Sequence, residues 1–124
     1  MNVVDSSGWL EYFADGPNAS IFAPVIQKPG EVIVPTISLY EVFKRVLQQR
    51  DESQALQAVA LMEQGALVDL TASLALSAAK LSSDLQLPMA DSIMLATARE
   101  YGATLWTQDA DFRGLEGIRF VQRR

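Results

Sequence analysis

The sequence predicts an α/β sandwich, with a mostly parallel central sheet flanked by helices. Three observations point to it. Short β-prone runs alternate along the 124 residues with longer segments of helical periodicity. The run Val32-Ile33-Val34 is apolar at every position, as expected of a strand covered on both faces. The stretch from Leu87 to Tyr101 reads as a helix that is apolar almost all the way round, which suits an interior position.

Taken in order, Asn2-Val3-Val4 forms a first strand ending at Asp5. Ser6 or Ser7 is then placed to cap a helix whose apolar face carries Trp9, Leu10 and Phe13. Asp15 to Pro17 breaks that helix, and Asn18 is placed to cap a second one through Ile21, Phe22, Val25 and Ile26, ended by Pro29-Gly30. The second strand spans Glu31 to Val34 and stops at Pro35. Thr36 or Ser38 caps the next helix, which turns Leu39, Val42, Phe43, Val46 and Leu47 inward and Lys44, Arg45, Gln48 and Gln49 largely outward. After the polar junction Arg50 to Ser53, Ala55, Leu56, Val59, Ala60 and Met62 repeat at helical spacing as far as Gly65.

A third strand is expected over Leu67 to Leu70. Thr71 then caps a long helix through Leu74, Leu76, Ala78, Leu81 and Leu85. Pro88 suits the first position of the following helix, and Gly102 suits the left-handed position that ends it. Ala103 to Trp106 follows as a strand leading into Thr107-Gln108-Asp109-Ala110-Asp111-Phe112. Ile118 to Val121 closes the pattern as an edge strand carrying Arg119.

A hydrophobic content of 49% supports one domain spanning residues 1–124. No apolar run approaches the roughly 18 residues of a membrane span, and Asp5 and Glu11 interrupt any basic, apolar leader. A cytoplasmic protein with no membrane partner is expected. The chain has no cysteine and no histidine, which excludes disulfides, zinc fingers, thiol nucleophiles and imidazole bases. A net charge of −5 argues against a nonspecific coat for duplex DNA, but leaves room for a nucleic-acid enzyme whose bound cations offset repulsion.

Carboxylates are therefore the candidate reactive groups. Asp91 lies in the first turn of the interior helix, where an ionised side chain is costly unless it is hydrogen-bonded, paired or bound to a cation. Asp5 and Asp109 both follow strands, where sites in parallel sheets gather, and Glu41 sits early in the helix after the second strand. One acidic cavity built from these four would suit Mg2+ or Mn2+, hard cations that take oxygen ligands. Seen singly, each acid also has an ordinary reading. Asp5 is placed as a helix cap, Glu41 as a surface partner of Arg45, and Asp109 and Asp111 as turn formers. Asp91 would gain only ~0.3 to 1 kcal/mol from its own helix terminus, too little to bury a bare charge.

The four acids occur in ordered motifs: Asp5-Ser6-Ser7, Ser38-Leu39-Tyr40-Glu41, Leu87-Pro88-Met89-Ala90-Asp91 followed by an alanine-rich apolar run, and Thr107-Gln108-Asp109-Ala110-Asp111-Phe112. In this the whole chain resembles the PIN-domain family, and more narrowly its VapC-type toxins. The resemblance implies a PIN-like three-layer sandwich and a Mg2+- or Mn2+-dependent endoribonuclease, active on RNA such as transfer or ribosomal RNA. It also implies a homodimer neutralised by a cognate antitoxin. Asp5, Glu41, Asp91 and Asp109 would be the catalytic and metal-holding acids, with Ser7 and Thr107 as supporting hydroxyls and Asp111 competing with Asp109 for the fourth role. Lys44, Arg45, Lys80, Arg113 and Arg119 are weaker candidates for phosphate contacts. The competing reading is a catalytically silent PIN-like or RNA-binding module that acts through protein partners. A response-regulator receiver and a haloacid-dehalogenase-like phosphatase are disfavoured, because the required early acidic pair is missing after Asp5.

Overall fold

The computed structural model describes residues 1–124. The chain runs β1 (Asn2–Val4), α1 (Ser6–Phe13), α2 (Ala19–Ile26), β2 (Ile33–Pro35), α3 (Thr36–Gln49), α4 (Glu52–Met62), β3 (Ala66–Val68), α5 (Ala72–Leu85), α6 (Met89–Glu100), β4 (Thr104–Thr107) and β5 (Ile118–Phe120). Single 3-10 turns lie at Pro29–Glu31 and Ala110–Phe112.

Every strand pair is parallel. In one group β4 lies between β1 and β5, with Val3 opposite Leu105 and Leu105 opposite Ile118. In the other β2 pairs with β3, with Val34 opposite Leu67. A parallel bridge between Asn2 and Val32 joins the two groups, so the strands follow the order β3-β2-β1-β4-β5.

Because successive strand residues point to opposite faces, each short apolar run feeds two cores. Val4, Val32 and Val34 pack with Trp9, Phe22, Val42 and Met62 from the first four helices. Val3, Ile33 and Leu105 pack on the other face with Met94, Leu95 and Ala98 of α6. The result is three layers, with the apolar run Val32 to Val34 buried throughout.

α6 is buried continuously from Ser92 to Ala98. Its Met94, Leu95 and Ala98 face the sheet, while Ile93 and Ala96 meet Leu74 and Ala78 of α5. Ser92 and Thr97 are tolerated there because their hydroxyls donate back to the carbonyls of Met89 and Ile93, at 2.7 and 2.8 Å. No helix is long and apolar enough to cross a membrane.

Several local expectations are corrected. Asp5 caps α1, its carboxylate accepting from the Gly8 amide at 3.1 Å, so Ser6 and Ser7 are helical residues. Pro35 precedes α3 where Thr36 or Ser38 was expected to cap it, and Ser38 is buried with its hydroxyl 3.1 Å from Met94 Sδ. Asn18 precedes α2 but makes no side-chain cap bond. β3 ends at Val68, because its partner β2 ends at the facing Pro35. β4 extends through Thr107, which pairs with Phe120. Leu47, Leu56 and Leu76 are exposed, since the outer helices bury one stripe only.

One glycine sets how closely α1 approaches the sheet. A Cβ on Gly8 would lie 2.6 Å from Val4 Cγ1 and 2.8 Å from Phe22 Cε1. Gly8→Ala gains roughly 0.5–1 kcal/mol of helix propensity but overpacks a filled core, at a cost of roughly 1–3 kcal/mol. The second effect is the larger, so urea denaturation should show a lower midpoint for Gly8→Ala. An unchanged or raised midpoint would mean that α1 is free to move away from β1.

Candidate active site

Topology brings the acids to one edge of the sheet. Asp5 directly follows β1 and Asp109 follows β4, at the carboxyl ends of adjacent parallel strands. α6 joins β4 through only three residues, Tyr101 to Ala103, and therefore runs back along that strand, placing Asp91 of its first turn at the same edge. Glu41 lies in the second turn of α3 and accepts a 2.6 Å hydrogen bond from the Ser6 hydroxyl of α1. That bond replaces the expected surface pairing with Arg45.

Asp5 is the best-connected of these groups. It is buried, and its Oδ1 accepts from the Ser7 hydroxyl at 2.6 Å and from the Gly8 amide at 3.1 Å, while Oδ2 accepts from the Thr107 hydroxyl at 2.6 Å. Each hydroxyl is itself held by a backbone amide: Gln108 N donates to Ser7 Oγ at 3.2 Å, and Asp109 N donates to Thr107 Oγ1 at 2.9 Å. Two parallel relays, each of amide, hydroxyl and carboxylate oxygen, therefore lock Asp5 to the segment that carries Asp109. Burial raises the Asp5 pKa from 3.8 to about 6; the bonds from Ser7, Thr107 and Gly8 oppose that rise, and the charge on Asp109 adds to it.

Asp91, Asp109 and Asp111 each offer a carboxylate oxygen within 4.8 Å of the others. Asp109 Oδ1 also accepts from the Asp111 amide at 2.9 Å, so the ordinary turn-forming role and the clustered position coexist. The pKa of Asp91 is raised from 3.8 to about 7 by burial, then by the charges of Asp109, Asp5, Asp111 and Glu41, in that order. Every charged neighbour that shifts it is another acid. Asp109 acts on Asp91 more strongly than Asp111 does, although both lie in the tight group.

A PIN domain family model matches residues 3–118. The chain belongs to the PIN-domain family. No curated protein sequence matches it. Among solved structures, this PIN domain is similar to a protein of a toxin-antitoxin complex from Klebsiella pneumoniae, with 19% identity, all of both chains covered and a TM-score of 0.83. It is also similar to VapC20 of Mycobacterium tuberculosis, described as a sarcin-ricin loop cleaving toxin, with 19% identity, 98% and 97% of the two chains covered and a TM-score of 0.79. A DNA-bound VapBC structure from Salmonella typhimurium gives 15% identity, 98% coverage of each chain and a TM-score of 0.73. At these identities the likeness is one of fold.

The divalent cation associated with PIN domains suits the side chains present. Ligand oxygens around an octahedral Mg2+ at about 2.1 Å lie roughly 3 to 4.2 Å apart, close to the span of the three clustered carboxylates. The donors are hard oxygens, and none of the charges acting on Asp91 is basic.

The basic candidates face aromatic rings, a side-chain amide or solvent. Arg113 lies over the Phe120 ring and donates to Gln122, Arg119 lies over Trp106, and Lys44 lies over Tyr40. Arg45 and Lys80 are exposed. Three polar supports of the cluster carry no local sequence signal for that role: Ser6, which holds Glu41, and Gln108 and Asn18, which are bonded to each other across 90 residues.

The two raised pKa values fix a sign for the stability of the metal-free protein. Between about pH 4 and 7 the folded chain holds more protons on Asp5 and Asp91 than the unfolded chain does, so stability is fully present below that window and is lost as pH rises through about 6 and 7. Thermal unfolding in a chelator should give a higher midpoint at pH 5 than at pH 8. Asp91→Asn should flatten this dependence and melt above the unsubstituted protein at pH 8; a less stable variant at pH 8 would contradict the electrostatic account.

Proposed function

We propose that this PIN domain is a divalent-metal-dependent endoribonuclease, the toxin of a toxin–antitoxin pair, and that residues 1–124 form its single catalytic domain. The observation that carries the proposal is the setting of Asp91, a carboxylate at the sheet edge that is grouped with Asp109 and Asp111 and has its pKa raised to about 7 by burial and then by the charges of other acids. That arrangement lacks positive charge, and a family built around an acidic metal site supplies the reason for it.

In this reading Asp5, Glu41, Asp91 and Asp109 would hold the ion or its waters, and Asp111, which shares a tight group with Asp91 and Asp109, would stand beside Asp109 in the fourth role. Ser7 and Thr107 orient Asp5, since each hydroxyl spends its hydrogen on one oxygen of that carboxylate. Mg2+ or Mn2+, when bound, supplies Lewis acidity toward a phosphodiester oxygen and a more acidic water for attack. Asp91 would be held as the ionised carboxylate by a bound cation, with its proton released to solvent, because opposite charge favours the charged form. Attack by water, rather than by the ribose 2′-hydroxyl, leaves a 3′-hydroxyl and a 5′-phosphate, and no histidine is required.

The substrate and partners follow from similarity. The M. tuberculosis neighbour is described as a sarcin-ricin loop cleaving toxin, which supports a structured RNA such as ribosomal RNA as substrate; transfer RNA is the other substrate the family resemblance implies. The toxin–antitoxin and VapBC neighbours support a cognate antitoxin as partner; a homodimeric toxin in the cytoplasm is part of the same proposal and rests on the family resemblance.

Purified, partner-free protein should cleave total RNA with Mn2+, stop on chelation, and leave 5′-phosphates. Losing one ligand to a transition-state cation forfeits several kcal/mol, so Asp91→Asn should lower the rate by roughly two or more powers of ten. A folded protein inactive on varied RNAs would favour the silent binding module, and full activity in Asp91→Asn would rule out this site.

A further inference from the structure

Behind the acids a second polar network runs into the interior. Asn18 is fully buried, and its Nδ2 donates to Gln108 Oε1 and to the Gln122 carbonyl, both at 3.0 Å. Its backbone amide donates to Glu11 Oε2 at 2.7 Å, while its Oδ1 has no partner. Gln108 is also buried, and its side-chain Nε2 donates to the Ser7 carbonyl at 3.5 Å. The segment from Thr107 to Asp109 is thus gripped on one side by Ser7. On the other side it is held by Asn18 and by Val121, whose amide donates to the Thr107 carbonyl at 2.8 Å.

We propose that Asn18 and Gln108 are positioning residues for the acidic site, acting through Ser7 and the Thr107–Asp109 segment to fix Asp5 relative to Asp109. The proposal rests on the metal-dependent nuclease reading. Packing alone does not account for the amide of Asn18, because both acceptors it serves, Gln108 Oε1 and the Gln122 carbonyl, are satisfied while its own buried Oδ1 is left unpartnered. What the amide does supply is two donors that tie the Gln108 side chain and the chain after β5 to one side chain, Asn18, in the loop before α2. Gln108 is in turn the residue whose backbone amide orients the Ser7 hydroxyl toward Asp5. Partners that orient metal-holding groups typically change metal affinity or activity by about 10–100-fold when removed.

The test uses the full chain and Gln108→Met, which keeps the length of the side chain and the backbone amide but loses both side-chain bonds. Folding is checked by circular dichroism, Mn2+ affinity by calorimetry on metal-free protein, and kcat and KM with RNA. The expected result is a folded variant with Mn2+ affinity and kcat each lower by about 10–100-fold and KM within about twofold. Because Asn18 acts through Gln108, adding Asn18→Ala to Gln108→Met should lower affinity by less than about twofold more, which is non-additive behaviour. If Gln108→Met does not fold, Asn18→Ser is held to the same readouts and the same expected losses. Unchanged Mn2+ affinity and kcat in a folded variant, or losses that multiply in the double variant, would overturn the proposal. A wild type that binds Mn2+ without cleaving RNA would sink the nuclease reading alone, leaving the affinities to decide the positioning role; a wild type that binds no Mn2+ would overturn both.

Discussion

The carboxylate of Asp91 is the constraint on which the site depends. It sits at the start of a helix buried from Ser92 to Ala98, where burial and then the charges of four other acids raise its pKa to about 7. The positive end of α6 helps, but at roughly 0.3–1 kcal/mol it offsets only part of the cost of ionising the group there. A protein selected for stability alone would place an amide or an apolar side chain at this position, and strain of this kind is commonly found where function is. α6 therefore has two roles in one element. Its aliphatic side chains join the sheet to α5, and that packing fixes where its first turn points.

Asp5 shows how a local and a distant role combine in one side chain. It caps α1 through the Gly8 amide, as its position after a strand suggests, and the same carboxylate is reached by hydroxyls from α1 and β4. Closeness of α1 to β1 makes this possible, and that closeness depends on the missing side chain at Gly8. The hydroxyl relays from Gln108 and Asp109 then couple the first and fourth strands at their carboxyl ends, so cap, sheet and site share the same atoms.

Much of the architecture is legible in the sequence for simple reasons. Val32-Ile33-Val34 has no polar position and so announces a doubly covered strand, and Gly102, at φ +60°, marks the end of α6. Element edges are less legible. The cap of α3 at Pro35 and the early end of β3 follow from the pairing between β2 and β3, which no local window contains. Apolar spacing also overstates the core, since Leu56 and Leu76 lie on outer helices with nothing packed over them. At the site, the acids stand out because the chain offers no histidine or cysteine to share the chemistry, and their order matches a known family. Asn18 and Gln108 do not stand out: Asn18 resembles any helix cap, and its actual partners lie 90 and 104 residues away.

Under the proposed function a divalent cation offsets the charge gathered around Asp91. A crystal of the protein soaked in Mn2+, with diffraction collected at the manganese absorption edge, tests that most directly. An anomalous peak is expected within coordinating distance of the carboxylates of Asp91 and Asp109. A fully bound crystal with its peak elsewhere, or none at these acids at saturating Mn2+ and neutral pH, would contradict it.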